Sequence, residues 1–394
     1  MGSSGSRAYP VTGYSVGNAL GAGSREVLTR LERGESGLAR SLADPTYPGP
    51  IGEFPEELAP PPPSLDRFDS RLVRMALTVV EDIAPAVNRA VARWGADRVA
   101  LVLGTSTGGI RESETAYAQW AEDGVLPVPG FDLVNRHSFH GVLEATRLRL
   151  GLQGPAWVVS TACSSSAAAI ASARRLLRTG RADAVLCGGA DTCCLTTLRG
   201  FRALEAISPT GCRPFSADRN GLSLGEGAAF LLIEKAGDGA AWLLGAGESS
   251  DAHHMSHPHP EGLGARLAMQ EAIAQSGLSA GEIEHVNAHG TGTVANDAVE
   301  ASAILSVLGA NVPVASTKGY TGHLLGAAGA TEAVFGIASI ERGFLPASLG
   351  AEPKDPGVRV RIVVTPARRK VGSVLSNSFA FGGANVSLLF GAAP

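Results

Sequence analysis

The chain has little charge and few aromatic rings. Asp, Glu, Lys and Arg make up 18% of its 394 residues, aromatics 5%, and the formal net charge is −4. With 44% apolar residues, that balance excludes an intrinsically disordered segment. The absent basic excess removes the usual electrostatic footprint of a nucleic-acid binder. No apolar run reaches the ~18 residues that a membrane-spanning helix needs, so no membrane is expected. Met1–Ser6 has neither the basic nor the apolar region of a secretory leader. The five cysteines, at 163, 187, 193, 194 and 212, form an odd set without the paired spacing of a zinc site. A disulfide framework is not expected; free thiols in a reducing compartment, the cytoplasm, are.

Glycine is in excess: 50 residues, about 13% of the chain where ~7% is usual. There is no Gly-X-Y period, so the excess points to tight turns and close backbone approaches around a packed core. The length suits one large core or two fused ones. Tyr47–Ser64 is the one Pro-rich stretch and reads as an ordered surface loop or extended connector. Apolar spacing predicts a helix over Arg67–Trp94, then a buried strand from Val99 into Gly104-Thr-Ser-Thr-Gly-Gly109. Strand and helix then alternate. Strands are predicted from Trp157, Asp183, Ile283, Val312, Ser373 and Asn385, and helices over Ser164–Leu177, Leu263–Gly277, Asp297–Gly309 and Gly326–Arg342. Such alternation defines an α/β protein. A switch near 236–241 divides it into halves, 1–240 and 241–394.

Cys163 follows the run Val158-Val-Ser-Thr-Ala and precedes a Ser/Ala helix that ends in Arg174, Arg175, Arg178 and Gly180. A cysteine at such a strand-to-helix elbow meets free N–H groups and the positive end of the helix dipole. Those features favour a thiolate and can hold an oxyanion. A buried structural cysteine is the competing reading. His289, in Asn287-Ala-His-Gly-Thr-Gly-Thr293, sits where a strand runs into a Gly/Thr loop, the edge at which open α/β sheets bind ligands. Lys318 and His323 fall in a second such loop, and Glu332 lies on the helix after it. Singly, each also reads as an ordinary loop or surface residue. Asn377-Ser-Phe-Ala-Phe-Gly-Gly383 supplies backbone N–H groups with little side-chain obstruction. Gly104–Gly109 lacks the lysine of a phosphate loop, and the histidines at 253, 254, 257 and 259 follow no metal-site spacing. No metal is expected.

Four motifs now stand in order: Ser-Thr-Ala-Cys163, Asn287-Ala-His289-Gly-Thr, Ser316-Thr-Lys318…Gly-His323-Leu-Leu-Gly, and Asn377-Ser-Phe-Ala-Phe-Gly-Gly383. Together they resemble the elongating β-ketoacyl-acyl carrier protein synthases, over nearly the whole chain. The resemblance implies a thiolase-type fold, two similar α/β halves in five layers, and a decarboxylative condensation. It implies that Cys163 carries the acyl chain, that His289 and His323 stabilise an enolate, and that Lys318 and Glu332 set their electrostatics. The backbone N–H groups of Cys163 and Phe381 would form the oxyanion hole. Thr291 and Thr293 would bond pantetheine, while Leu222, Phe379, Phe381 and Gly382 would border the substrate. No resident cofactor is implied, because phosphopantetheine arrives on the acyl carrier protein. That partner is acidic in this family, and Arg67, Arg71, Arg74, Arg199 and Arg202 are candidates for its docking patch. A homodimer, or a heterodimer with a related ketosynthase-like subunit, is implied. A catalytically inactive, chain-length-determining partner subunit is the alternative, although such partners typically lose the nucleophile. A degradative thiolase would need a second cysteine beyond Cys212, and a starter synthase an Asn where His323 stands. Ala380 replaces a usual glycine, whose loss is expected to stiffen that loop.

Overall fold

The computed structural model describes residues 8–393 except 42, 43, 45, 56 and 127, so Met1–Ser6 lies outside it. Eleven strands form one hydrogen-bonded ladder. In chain order they are β1 Tyr9–Asn18, β2 Val99–Gly104, β3 Ala156–Val159, β4 Ala184–Asp191, β5 Gly227–Glu234, β6 Ala241–Ser250, β7 His285–Asn287, β8 Pro313–Ala315, β9 Arg361–Ile362, β10 Ser373–Phe379 and β11 Ala384–Gly391. Their spatial order is β9-β8-β7-β10-β11-β6-β1-β5-β4-β2-β3. The first five and last six strands are joined by β1. Its residues Tyr9–Val11 pair with β6, while Val11–Asn18 pair with β5 across a register shift between Val11 and Gly13.

Among the described residues, nine α-helices of more than one turn cover the ladder: α1 Ser24–Arg33, α2 Arg71–Trp94, α3 Ile110–Asp123, α4 His140–Leu150, α5 Ser165–Arg178, α6 Leu195–Ala203, α7 Leu263–Ser276, α8 Val294–Leu308 and α9 Ala328–Arg342. Helix α5 touches β2 and β4 on one side and β6 and β11 on the other; α9 likewise touches β5 and β10. These two helices are the middle layer. Helices α2 and α4 cover the N-terminal strands, and α7 the C-terminal ones. The result is the expected five-layered thiolase-type α/β fold. Small side chains make the middle layer thin enough to close. A Cβ at Gly329 of α9 would meet Ala167 of α5 at 2.7 Å. Val334 and Phe335 of α9 share a buried cluster with Ala167–Ala171 of α5 and Val16 of β1.

Two helix starts lie three or more residues from the sequence reading. The Arg67–Trp94 helix begins at Arg71, because Pro63–Phe68 forms a separate 3-10 turn and the Ser70 hydroxyl accepts the Val73 N–H as N-cap. Helix α8 starts three residues early, at Val294, because Thr293 in extended conformation opens it. In the Pro-rich connector, Phe54 and Leu58 are buried, and Gly52 bonds Leu224 and Glu226. Strands β1, β5, β6 and β9 and helices α1, α3, α4 and α6 have no counterpart in the sequence reading. No described helix is long and apolar enough to cross a membrane.

Candidate active site

Cys163 stands where β3 gives way to α5. The turn is tight: Ala162 adopts φ +50°, a left-handed conformation unfavourable for a side chain with a Cβ. The Ser165 hydroxyl bonds both the Thr161 N–H and the Ala162 carbonyl, holding the elbow. A Cβ on Gly104 would come within 2.3 Å of the Ser166 nitrogen, so glycine there lets the helix N-terminus sit on the strand end. Cys163 is only 7% exposed. Burial pushes its thiol up to about 11; Lys318 and the N–H groups of Phe381 and of Cys163 itself pull the other way but do not prevail. The elbow was expected to favour a thiolate. Desolvation outweighs it, and the resting group is a thiol.

The second half brings its loops to the same place. His289 and His323 lie edge to face, ring centroids 5.3 Å apart, and both are buried. The Nζ of Lys318 is 3.4 Å from His289 Nδ1 and donates to Glu332 Oε1 at 2.5 Å. Burial, then the Lys318 charge, hold both imidazoles well below the ordinary histidine range, so both are neutral at pH 7. With Nδ1 of His289 facing the ammonium, its proton belongs on Nε2. The loop bearing His323 is tied to the other half: the His323 N–H donates to the Ser223 carbonyl, and its carbonyl accepts the Gly225 N–H. Burial raises Glu332 while Lys318 opposes it.

Carboxylates not singled out in the sequence brace these loops. Glu300 of α8 accepts the N–H groups of His289 (2.8 Å) and Gly290 (2.7 Å) and the Asn377 amide (3.3 Å). Burial pushes Glu300 up to about 7, against those N–H groups. Asp297, one helical turn earlier, accepts the N–H groups of Phe215 and Gly292. Two acids three residues apart just after a Gly-Thr-Gly-Thr loop were a usable signal. Asp191, at the end of β4, is a third buried carboxylate.

One cleft collects Cys163, His289, His323, Thr291, Thr293 and Leu222. Lys318 and Glu332 lie behind that wall. The Thr291 and Thr293 hydroxyls bond each other at 2.9 Å. Phe379, whose ring is 6.2 Å from His289, and Phe381 also line it. Phe381 is 38% exposed and stacks on Phe201 of α6. Its neighbour Gly382, at φ +83°, donates to the Met255 carbonyl. Ala380 is extended at φ −110°, which any residue adopts; the turn rests on Gly382 and Gly383. His254 and His257 reach the cleft rim with their Nδ1 atoms 3.1 Å apart.

The five arginines do not form one patch. Arg71 turns inward to the buried Glu226, and Arg74 pairs with Asp69 at 2.6 Å. Arg67 lies over the Phe68 ring. Arg199 and Arg202 are exposed on α6, the helix that presents Phe201 to the cleft. An arginine already neutralised by a carboxylate offers little charge to a partner, so Arg71 and Arg74 drop out of the patch.

Fold and site define a condensing enzyme with a cysteine and two histidines at one cleft. Comparison with known proteins agrees. Residues 11–238 match the family description "Beta-ketoacyl synthase, N-terminal domain", and residues 240–352 match "Beta-ketoacyl synthase, C-terminal domain". The chain belongs to the β-ketoacyl synthase family. The mitochondrial 3-oxoacyl-[acyl-carrier-protein] synthase of Arabidopsis thaliana is 40% identical over 280 residues, 66% of this chain and 60% of that protein. The chloroplastic 3-oxoacyl-[acyl-carrier-protein] synthase II of the same plant is 32% identical, over 98% of this chain and 75% of its own length. Among solved structures, the complex of the ketosynthase ApeO with its chain length factor ApeC from Xenorhabdus doucetiae superposes with TM-score 0.92, at 36% identity and full coverage of both chains.

Proposed function

We propose that this chain is a β-ketoacyl-acyl carrier protein synthase acting by decarboxylative Claisen condensation. The observation that carries the reading is the convergence of the Cys163 thiol with two neutral, buried imidazoles in one cleft. The Cys163 sulfur attacks the acyl thioester of a carrier protein. Its C–S bond breaks, and the thiol proton leaves with the pantetheine sulfur. The Cys163 and Phe381 N–H groups receive the oxyanion. Malonyl-carrier then loses CO₂, and the electron pair of the broken C–C bond stays on the substrate as an enolate. N–H groups of His289 and His323 meet the enolate oxygen, one such donor being worth about 3–4 kcal/mol in other enzymes. Neutral imidazoles suit this role, since they donate without protonating the carbanion. The carbanion attacks the Cys163 thioester, the acyl C–S bond breaks, and the released sulfur takes a proton from water as β-ketoacyl-carrier departs.

Departing CO₂ generates the carbanion, so the reaction calls on no metal or redox group of the protein. Lys318 and Glu332 set the charge behind the histidines; Thr291 and Thr293 bond pantetheine; Leu222, Phe379, Phe381 and Gly382 border the acyl chain. The nucleophile belongs to the half 1–240, the histidine loops to 241–394. The partners are an acyl carrier protein and a second subunit, either a copy of this chain or a related ketosynthase-like chain. The pairing of ApeO with a chain length factor supports the second option. Retention of Cys163, His289 and His323 favours the catalytic role over the chain-length-determining one. Five free cysteines accord with a cytoplasmic setting.

Intact mass after incubation with acyl-carrier thioesters of several lengths tests the reading. A single acyl adduct is expected on the wild type and none on Cys163→Ala; loading of that variant would sink the nucleophile assignment. His323→Ala is expected to load normally and condense poorly, and full condensation by it would remove His323 from the enolate step.

A further inference from the structure

Asp191 has no exposed surface and closes strand β4. Its carboxylate accepts six hydrogen bonds, three on each oxygen. Oδ1 takes the Thr105 and Thr107 hydroxyls (2.6 and 2.7 Å) and the Thr107 N–H (3.0 Å). Oδ2 takes the Ser106 N–H and hydroxyl (2.8 and 2.7 Å) and the Gly326 N–H (2.6 Å). The donors come from two places. Residues 105–107 follow β2, the strand on which the nucleophile helix sits. Gly326 belongs to the turn Leu325–Ala327, which links His323 to α9, the helix of Glu332. That turn is strained: Leu325 sits at φ +53°. It also has no room to spare, for a Cβ on Gly326 would fall 2.5 Å from Asp191 Oδ2. One carboxylate thus fastens the His323 loop of one half to the strand ends beneath Cys163 in the other.

We propose that Asp191 is a positioning residue of the condensation, holding His323 in register with Cys163 across the junction of the two halves. The inference rests on the condensing reaction proposed above. A turn freed from this anchor lets His323 drift, and a misplacement of about 1 Å costs on the order of 10²-fold in rate. Asp191 also adds negative charge near the thiol, opposing Lys318. Its removal therefore has a second signature that a merely structural residue would not show.

Two variants separate the effects. Asp191→Asn keeps the shape but offers one acceptor oxygen, turning its NH₂ toward donors. Gly326→Ala breaks the same joint while leaving the charge. Thermal melts and far-UV circular dichroism establish folding, malonyl decarboxylation with acyl-loaded enzyme gives the condensation rate, and iodoacetamide alkylation against pH reads Cys163. Both variants are expected to condense at least about tenfold more slowly while still loading acyl chains. Alkylation of Asp191→Asn is expected to rise at lower pH than wild type, and that of Gly326→Ala to follow wild type. Condensation by both variants within about twofold of wild type overturns the inference. If Asp191→Asn does not fold, Gly326→Ala decides by its condensation rate alone. If the wild type itself fails to condense, the proposed function falls; an unshifted alkylation profile in Asp191→Asn then overturns this inference too.

Discussion

Lys318 is the residue on which the electrostatics turn. It is a buried cation with one carboxylate partner, Glu332, and it bears on both imidazoles and on the thiol. Removing one member of a buried ion pair leaves an uncompensated charge and typically costs ~3–5 kcal/mol, whereas replacing both by apolar groups is often neutral. Lys318→Met is therefore expected to lower stability by about that much, and Lys318→Met with Glu332→Met by much less. Denaturant titrations check it; equal losses in the two would refute the pair as the cause. The pH sign follows from the same geometry. Lys318 holds the Cys163 thiol down and the imidazoles down. Without it all three groups titrate at higher pH, so Cys163 alkylation in Lys318→Met should start at higher pH than in wild type, opposite to Asp191→Asn. The sequence already pointed to Lys318, because it stands where a strand enters a glycine loop beside other chemistry-bearing residues. It did not point to Asp191, Asp297 or Glu300. The spacing of Asp297 and Glu300 after the Gly/Thr loop could have marked them, but an acid near a helix start or strand end also reads as solvated, and the backbone N–H groups they accept from outside their own elements show them to be buried anchors.

At the scale of elements, the elbow of β3 and α5 does most to make the site. The run of small residues in α5 was legible as a helix, and its place after a strand located Cys163. What the sequence left unread was how closely the elements approach. Gly104 read as the end of a strand; only the fold shows that the α5 N-terminus occupies the space of its Cβ. Gly104→Ala must push the backbone at Ser165–Ser166 outward, since the clash is with main-chain atoms that cannot rotate away. Acyl loading is expected to fall on the order of 10²-fold, with a smaller loss in stability, as measured by stopped-flow loading and thermal melts. Loading at the wild-type rate would show that the elbow is not held by this contact. The unread strands have a similar cause. Tyr9–Asn18 carries Pro10, Gly13 and Gly17 and keeps no clean alternation, because part of it pairs with β6 and part with β5 across a register shift. Helix α3 leaves Tyr117 and Trp120 in solvent, so its apolar spacing marks no buried stripe.

Across the whole molecule, the cleft opens where loops of both halves meet, with α6 alongside it. The alternation of strands and helices was enough to give the class of fold. The joining of the two sets of strands through β1 depends on pairing between residues more than two hundred positions apart, which local patterning does not encode. The same distance problem governs the charge at the entrance. Five arginines looked equivalent in sequence; folding turns Arg71 inward to the buried Glu226, pairs Arg74 with Asp69 and lays the exposed Arg67 over Phe68, leaving Arg199 and Arg202 exposed beside Phe201. Asp44 lies near enough to feel both, although Thr46 is the main reason its carboxyl is held low. An acidic carrier meeting these two arginines gains mostly in encounter rate, and exposed pairs contribute ~0.2–1 kcal/mol each. Reversing both, with Arg199→Glu and Arg202→Glu, is expected to raise the KM for malonyl-carrier by about tenfold, equivalent to ~1.4 kcal/mol. The effect should shrink as salt is added, because exposed charges are screened over ~8–10 Å. Turnover at saturation should be unchanged, and so should the KM for a malonyl-pantetheine thioester lacking the protein, since neither arginine reaches the chemistry. Steady-state kinetics with both substrates at two salt concentrations make the comparison. An unchanged KM for the carrier would place the docking surface elsewhere, and an equal loss with the small thioester would mean that the substitutions deform α6, and with it the stacking of Phe201 on Phe381.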